Sequence, residues 1–263
     1  MSDPTIQQLF DLTGRAALLT GGTGYLGQAF AAALAEAGAR VVISSRERDR
    51  AETAAAQLPN SDAGHFGVEF DHKDEAATKA GFDEAVERSG GLDILFNNGQ
   101  GGPANDWTDI TVDGFQDHLS NATAYFALAR LMRDHAVDCD KPASIVMIGS
   151  MYGMVASYPD TYEGVCPASS VGYHALKGGV IHMTRHLAAY WAKDKVRVNC
   201  LSPGPFPQPK VWPELVERLC TKSPMGRMGL PHELKGAAIL LASDASSYMT
   251  GQNIVVDGGW TAW

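Results

Sequence analysis

Short runs of apolar and β-branched residues alternate along the chain with longer, alanine-rich stretches whose apolar positions recur every three or four residues. The short runs are typical of buried strands, and the longer stretches are typical of amphipathic helices. Regular alternation between the two predicts a parallel sheet covered by helices. The predicted strands are Ala16–Thr20, Arg40–Ser44, Gly67–Phe70, Ile94–Asn97, Ser144–Ile148, Val196–Cys200 and Ile254–Val256.

The chain of 263 residues is long enough to bury a sizeable core, yet short enough to form one α/β domain. The alternating pattern continues without a linker or repeat as far as Pro203. Prolines then recur up to Pro231, which predicts irregular loops around one short helix near Pro213–Thr221. Because open α/β sheets bind ligands beyond the carboxyl ends of their strands, residues 203–231 are expected to form a mobile cover over a substrate.

The first predicted strand leads directly into a glycine-rich turn and then into a helical pattern. Gly21 allows a sharp turn, Gly24 allows the backbone to approach a pyrophosphate, and Gly27 allows close packing of helix and strand. The N–H groups at the start of the helix would then face the phosphates. This context favours a dinucleotide site over a purely structural turn. The expected residues are Gly21, Thr23, Gly24, Tyr25, Leu26 and Gly27.

Tyr173 and Lys177 are four residues apart in a predicted helix, which puts both side chains on one helix face. An ammonium group beside a phenol stabilises the phenolate, so Lys177 is expected to lower the pKa of Tyr173. The phenol could then take a proton from an alcohol or return one to a ketone. This spacing alone is common in helices, and it gains weight from Ser150, which follows the predicted strand Ser144–Ile148.

With these motifs in this order, the chain resembles the short-chain dehydrogenase/reductase family, short type, over essentially its whole length. The resemblance implies a single-domain, doubly wound α/β fold of the Rossmann type, with a seven-stranded parallel sheet and helices on both faces. It also implies an NAD(P)-dependent oxidoreductase that acts on CH–OH groups. The turn Thr20–Gly27 departs from the short members, because Tyr25 stands where a glycine is expected and the glycine spacing is that of longer members.

The resemblance implies roles for four candidate catalytic residues. Tyr173 matches the family's acid/base, Lys177 its assisting lysine, and Ser150 the serine that hydrogen-bonds the reacting oxygen. Asn121 matches the asparagine that helps to hold a proton-relay water near the lysine.

Further cofactor contacts are implied at the ends of three later strands. Asp71 resembles the family's adenine-contacting aspartate, and Asn98 and Gly99 resemble its turn beside the adenosine, although Gln100 replaces the final glycine. The loop after Arg197-Val-Asn resembles the one that reaches the nicotinamide, but it lacks the family's usual threonine. The residues implied in that loop are Pro203, Gly204 and Phe206, and Tyr173 and Lys177 are implied as cofactor contacts as well.

The choice between the two nicotinamide cofactors is expected to depend on the end of the second strand. An NAD site generally has a carboxylate there for the ribose 2′-OH, but Ser45 holds that place. Arg46 could pair with a 2′-phosphate while Ser45 donates a hydrogen bond, which favours NADP and leaves NAD possible. Alternatively Arg46 is only a solvated residue after a strand, since the glycine turn lacks the extra basic residue often seen in NADP-binding relatives.

The segment between Ser150 and Tyr173 is longer than in most relatives, and residues 151–172 are expected to form a substrate loop. Its tyrosines, together with Phe206 and Trp212 on the cover, suit a polyhydroxylated ligand. The overall pattern most resembles gluconate 5-dehydrogenase-like and other sugar-modifying members. Two alternatives stay open: a 3-oxoacyl thioester (acyl-carrier) reductase, and a cofactor-sensing protein without turnover. The loop residues that suggest a sugar are Tyr152, Tyr158, Tyr162 and Glu163.

Composition limits the partners and the compartment. The formal net charge of −9 argues against nucleic acid, which requires a basic face. Four widely spaced cysteines form no metal-ligand pattern, so no metal site is expected, and they are interpreted as reduced thiols of a cytoplasmic protein. The polar first residues and the lack of a long apolar stretch predict neither export nor a membrane span. The ending Thr250–Gly259 resembles members that assemble as homotetramers.

Overall fold

A computed structural model describes residues 3–263 of the chain. All neighbouring strands of its single sheet are parallel. The strands are β1 (Ala16–Thr20), β2 (Arg40–Ser45), β3 (Phe66–Glu69), β4 (Ile94–Asn97), β5 (Ala143–Ile148), β6 (Val196–Pro203) and β7 (Asn253–Val256). The α-helices of the described residues are α1 (Ile6–Phe10), α2 (Tyr25–Glu36), α3 (Arg48–Ala56), α4 (Glu75–Ser89), α5 (Val112–Asp138), α6 (Pro159–Tyr162), α7 (Val171–Trp191), α8 (Pro213–Lys222) and α9 (Lys235–Ala242).

The order of the strands across the sheet is β3-β2-β1-β4-β5-β6-β7. The chain therefore builds the sheet outward from β1 in one direction and then returns to add β4 on the other side of β1. Such a reversal leaves a crevice at the carboxyl ends of the two central strands, because the connections leave β1 and β4 toward opposite faces. The predicted seven-stranded, doubly wound α/β fold is confirmed.

The two faces of the sheet are covered by different helices. Leu18 and Leu95 point into one apolar cluster with residues of α4, α5 and α7, whereas Leu19 and Phe96 point into the other with residues of α2, α3 and α9. All four side chains are fully buried. Burial on both faces explains why the strands have continuous apolar runs rather than alternating ones.

A third apolar cluster lies outside the sheet. It joins Met151, at the start of the segment after β5, to Leu215 and Leu219 of α8 and to Trp260 near the C-terminus. Within residues 3–263, no helix combines the length and the hydropathy that crossing a bilayer requires. The same residues contain no group of three or more acidic, histidine or cysteine side chains that could hold a metal ion.

The predicted strands agree with the observed ones to within one residue at each end, except at the end of β6. That strand continues through Pro203 because β7 pairs with its last four residues, from Cys200 to Pro203. A proline can end a paired strand because only its missing N–H is lost from the ladder. The extension carries the backbone farther toward the crevice than the sequence predicted.

Arg197 and Asn199 on β6 anchor the connection between α9 and β7. The partly buried Arg197 guanidinium donates to the carbonyls of Leu241 and Ser243, both at 3.2 Å, and burial lowers its pKa. Asn199 donates to the Met249 carbonyl at 2.8 Å and accepts from the backbone N–H of Gln252 at 3.0 Å. These two side chains therefore hold the edge strand β7 in register with β6.

We expect Arg197→Met to lower the free energy of unfolding by about 3 kcal/mol, because several buried carbonyls lose their donor. Urea unfolding followed by circular dichroism measures this loss. The control is Arg130→Met on α5, where an exposed arginine lies 3.8 Å from Glu75 and should contribute less than about 0.5 kcal/mol. Equal effects of the two substitutions would contradict the anchoring role of Arg197.

Candidate active site

A crevice of about 840 Å³ lies at the carboxyl ends of the strands, where the strand order reverses. The turn after β1 lines one side, and residues at the ends of β2, β3, β4, β5 and β6 and on α5 and α7 line the rest. The structure brings all sixteen sequence-predicted cofactor residues to this crevice: Gly21, Thr23, Gly24, Tyr25, Leu26, Gly27, Ser45, Arg46, Asp71, Asn98, Gly99, Tyr173, Lys177, Pro203, Gly204 and Phe206.

Two positions of the glycine turn disfavour any residue with a side chain, for different reasons. Gly21 has a φ of +64°, which other residues rarely adopt. A Cβ on Gly27 would lie 2.1 Å from the carbonyl oxygen of Gly21. Gly24 is the N-cap residue of α2 and provides no side-chain cap. The first N–H groups of α2 therefore have no side-chain acceptor at the crevice wall. This bare helix start, close to exposed glycine backbone, fits the diphosphate of a dinucleotide.

Thr20 and Asn98 join the ends of β1 and β4 under the crevice. The Thr20 hydroxyl accepts from the backbone N–H groups of Asn98 at 2.9 Å and Gly99 at 2.8 Å. The Asn98 side chain donates to the carbonyls of Thr20 at 3.0 Å and Gly21 at 3.1 Å. Asn98 therefore fixes the position of the glycine turn relative to the residues that follow β4.

The end of the crevice beside β2 contains serine hydroxyls and guanidinium groups. Ser45 and the exposed Arg46 line it, as does Arg50. Arg48 points elsewhere, since its guanidinium pairs with Glu84 at 2.7 Å. The strand supplies no carboxylate at this end, although Asp71, after β3, lies farther along the same wall.

Tyr173, Lys177 and Ser150 meet at the opposite end of the crevice. Lys177 is only 3% exposed, and its ammonium group donates to the Ile148 carbonyl of β5 at 2.7 Å. The Lys177 Nζ atom lies 5.6 Å from the centre of the Tyr173 ring. The Ser150 hydroxyl contacts the Tyr173 phenol and also accepts from the backbone N–H of Tyr152 at 3.1 Å.

Burial shifts the pKa values of both Lys177 and Tyr173. It lowers the pKa of Lys177 to about 8, because the ammonium group loses its hydration. Burial also raises the pKa of Tyr173, and the Ser150 contact only partly offsets this rise. The expected lowering of the Tyr173 pKa by Lys177 is therefore wrong for the protein without cofactor, because desolvation has the largest effect on the phenol and raises its pKa.

Asn121 differs from the other three candidate catalytic residues, because its side chain is completely buried beside the crevice rather than lining it. Its Oδ1 atom accepts from His72 Nε2 and from the Gly101 N–H, both at 3.0 Å. Its amide nitrogen donates to the carbonyls of Gly101 at 2.7 Å and His118 at 2.9 Å. The side chain is fully occupied in holding the loop after β4 against α5.

The expected substrate loop and cover pack against each other. Arg218 of α8 donates to the Glu163 carbonyl at 2.7 Å, and Lys222 pairs with Asp160 at 2.6 Å. Tyr152 and Tyr162 share a hydrogen bond of 2.8 Å between their hydroxyl groups. These tyrosines, with Tyr158, belong to the third apolar cluster rather than to the crevice wall, which on this side is formed by Phe206 and Gln208.

Sequence reasoning missed several residues that line the crevice. His72 and Lys73 directly follow Asp71, and the rule that ligands lie beyond strand ends could have identified them. Burial lowers the pKa of His72, and Lys73 pairs with Asp117 at 2.7 Å. No sequence signal pointed to Asp117, because it comes from α5 and reaches the crevice only through packing. The remaining missed residues are Ser44, Arg50, Phe70, Gln100, Gly101, Gly102, Ile148, Gly149 and Gln208.

Comparisons with known proteins identify the family. A family model described as enoyl-(acyl carrier protein) reductase matches residues 24–261. The chain is similar to galactitol 2-dehydrogenase of Rhizobium johnstonii, with 36% identity over 98% of this chain and 99% of that protein.

Solved structures show the same similarity in three dimensions. A short-chain type dehydrogenase/reductase from Mycobacterium marinum is 31% identical, with a TM-score of 0.88 over 99% of this chain and 100% of the other. A gluconate 5-dehydrogenase from Burkholderia cenocepacia J2315, solved with NADP and tartrate, is 30% identical, with a TM-score of 0.89 over 98% and 100% of the two chains. The protein is therefore an NAD(P)-dependent oxidoreductase acting on CH–OH groups, and it belongs to the short-chain dehydrogenase/reductase family.

Proposed function

We propose that the protein interconverts a secondary alcohol and a ketone on a sugar or sugar acid, with Tyr173 as the acid/base. The observation that carries this proposal is that the Tyr173 phenol lies beside the Ser150 hydroxyl, and its ring centre lies 5.6 Å from the buried Lys177 ammonium, at one end of the crevice. The similarity to a galactitol dehydrogenase and to a gluconate dehydrogenase supports a polyhydroxylated substrate. The nicotinamide would supply or accept the hydride.

The chain's own groups would handle the proton. Because burial keeps the Tyr173 phenol protonated, its hydroxyl can donate a proton to the oxygen of a ketone as that oxygen gains charge. In the reverse direction the phenolate form of Tyr173 would take the proton from an alcohol and become the phenol, and the Lys177 ammonium would stabilise that phenolate before the transfer. Ser150 would hold the reacting oxygen by a hydrogen bond. We assign Asn121 a supporting role, through the loop that its side chain holds.

We propose NADP as the preferred cofactor. Arg46 is exposed on the crevice wall and Ser45 lies beside it, so a guanidinium and a hydroxyl are available to a 2′-phosphate. The adenosine would extend toward Asp71 and Asn98, and the nicotinamide toward Pro203, Gly204 and Phe206. The gluconate dehydrogenase of similar structure was solved with NADP, which supports this choice.

We propose that residues 151–172 and 203–231 act as substrate loop and cover of a single catalytic domain. Their contacts through Arg218 and Lys222 support a joint role, because the two segments are tied to each other. Polyhydroxylated ligands would enter beside Phe206 and Gln208.

We also propose that the protein is a homotetramer in the cytoplasm. Apolar side chains are exposed on the two longest helices, including Phe126 on α5 and Tyr190 on α7, and Tyr248 lies exposed just before the edge strand β7. An uncovered sheet edge and exposed apolar side chains are typical of surfaces that meet another subunit. The four cysteines are all free thiols, which suits a reducing compartment.

An acyl-carrier substrate is the second candidate, because the matching family model carries an acyl-carrier name. Free basic residues near the mouth of the site would favour the binding of a carrier protein. Of the basic residues on the cover, Lys222 and Arg227 are paired with Asp160 and Glu233, and only Lys210 has no carboxylate partner among residues 3–263. The surface therefore favours a small polar substrate over a carrier protein.

The proposal is tested by following NADPH oxidation with a panel of keto-sugars and sugar acids and, separately, with acetoacetyl thioesters. We expect turnover with at least one keto-sugar and weaker turnover with the thioesters.

Tyr173→Phe should lower kcat by about 10³-fold or more, because the proton donor is lost, and leave cofactor binding intact. Full activity of this variant, or turnover of the thioesters alone, would contradict the assignment.

Arg46→Ala should lower kcat/KM for NADPH by about 10- to 100-fold and leave the value for NADH nearly unchanged. The matched control is Arg48→Ala, two residues away, whose guanidinium faces Glu84 rather than the crevice. Steady-state kinetics with both cofactors provide the measurement. If Arg46→Ala affects the two cofactors equally, the proposed 2′-phosphate contact is wrong.

The lowered pKa of Lys177 predicts a pH-dependent difference in stability between the wild type and Lys177→Met. Between pH 8 and the ordinary lysine pKa near 10.5, the unfolded chain binds a proton that the folded chain has lost. The wild type should therefore gain stability relative to the variant over this range, by up to about 1.4 kcal/mol per pH unit. Chemical unfolding at pH 7, 8, 9 and 10 measures the difference. A constant difference would show that Lys177 is not buried as described.

A further inference from the structure

His118 is a buried histidine on α5 that connects two segments flanking Tyr173. Only 4% of its surface is exposed. Its Nε2 atom lies 3.0 Å from the carbonyl oxygen of Pro103, in the loop after β4, and 3.1 Å from the hydroxyl of Ser170. Ser170 is the N-cap residue of α7, the helix that carries Tyr173. A single imidazole therefore bridges the crevice loop and the start of the helix that carries the proposed acid/base.

Two glycines leave room for this imidazole. A Cβ on Gly102 would lie 2.5 Å from the His118 Cε1 and Nδ1 atoms, and a Cβ on Gly172 would lie 2.7 Å from its Cδ2 atom. Gly102 belongs to the crevice wall, and Gly172 immediately precedes Tyr173. The backbone of both segments can reach the ring only because these positions have no side chain.

The hydrogen bonds determine which ring nitrogen carries the proton. The Pro103 carbonyl can only accept, so Nε2 of the neutral ring donates and Nδ1 keeps a lone pair. Nδ1 is buried and has no hydrogen-bond partner among residues 3–263. An unpaired buried acceptor lowers stability, whereas an apolar ring of similar shape would fill the same space without that cost. One ring nitrogen therefore lowers stability, while the other joins the loop after β4 to the start of α7.

We propose that His118 is a positioning residue that fixes the first turn of α7 and thereby the Tyr173 phenol; this inference depends on the proposed role of Tyr173. The Ser170 side chain makes no capping hydrogen bond to α7. Its hydroxyl contacts His118 instead, so the start of the helix is held from α5. A second contact fixes α7 one turn after Tyr173, where the Lys177 ammonium donates to the Ile148 carbonyl. The phenol lies between these two anchors, and small displacements of a reacting group are costly in rate.

The test is His118→Phe in the full-length protein, which keeps a planar ring and removes the donor. We expect kcat to fall by about 10- to 100-fold, with cofactor Kd and substrate KM changed by no more than about twofold. The melting temperature should change by no more than a few degrees, because the lost Nε2 contacts and the removed unpaired Nδ1 acceptor act in opposite directions. His118→Gln, whose amide can donate to Pro103, should recover part of kcat. Hydrogen exchange at residues 171–175 should be faster in His118→Phe than in the wild type.

His135→Phe is the matched control, since this histidine lies on the same helix and its Nε2 accepts from the backbone N–H of Leu92 at 3.1 Å, far from Tyr173. It should lower stability and leave kcat unchanged. If His118→Phe does not fold, Ser170→Ala removes one of the two contacts and should lower kcat by several-fold, about 3- to 10-fold.

Three results would overturn the positioning role. The first is an unchanged kcat in folded His118→Phe. The second is a loss of kcat that comes with large losses of both cofactor affinity and melting temperature. The third, if only Ser170→Ala folds, is an unchanged kcat in that variant.

Tyr173→Phe separates this inference from the proposed function. If Tyr173→Phe is inactive and the His118 variants are fully active, only the positioning role is wrong. If Tyr173→Phe retains full activity, the proposed function itself is wrong.

Discussion

The burial of the Lys177 ammonium group is the constraint on which the rest of the site depends. A buried lysine is stable only where its charge or its donors are satisfied, and here the Ile148 carbonyl at the end of β5 accepts a hydrogen bond from the ammonium nitrogen at 2.7 Å. That contact requires α7 to lie close to the end of β5. Gly153 allows this approach, because a Cβ there would lie 2.7 Å from the Lys177 backbone. The position of Tyr173 on α7 follows from this arrangement.

The opposite end of the crevice depends on charge and backbone geometry rather than burial. The chain is acidic overall, with a formal net charge of −9, yet the crevice presents the bare N-terminus of α2 and the guanidinium of Arg46. Local fields of this kind attract phosphate groups even on an acidic protein, since they act over short distances. The crevice therefore combines groups suited to anions with groups suited to proton transfer.

Much of this arrangement could be predicted from the sequence because it depends on local patterns. The strands are apolar runs buried on both faces, and the glycine turn and the Tyr173–Lys177 spacing have direct geometric meanings. What could not be predicted depends on tertiary packing. The rise in the Tyr173 pKa comes from burial in the folded chain, and Asn121 and His118 contact loops that only the folded chain brings to α5. The tyrosines after Ser150 suggested a pocket wall, yet several of them pack against α8 and Trp260.

The proposed chemistry requires the Tyr173 phenol to face the reacting atoms while Lys177 remains buried behind it. A crystal structure of the Tyr173→Phe variant with NADP and a sugar alcohol bound would test this most directly. We predict that the nicotinamide ring lies beside residue 173, with the substrate hydroxyl within hydrogen-bond distance of Ser150, and that the 2′-phosphate lies on Arg46. A dinucleotide bound with its nicotinamide away from residues 150 and 173 would contradict the account.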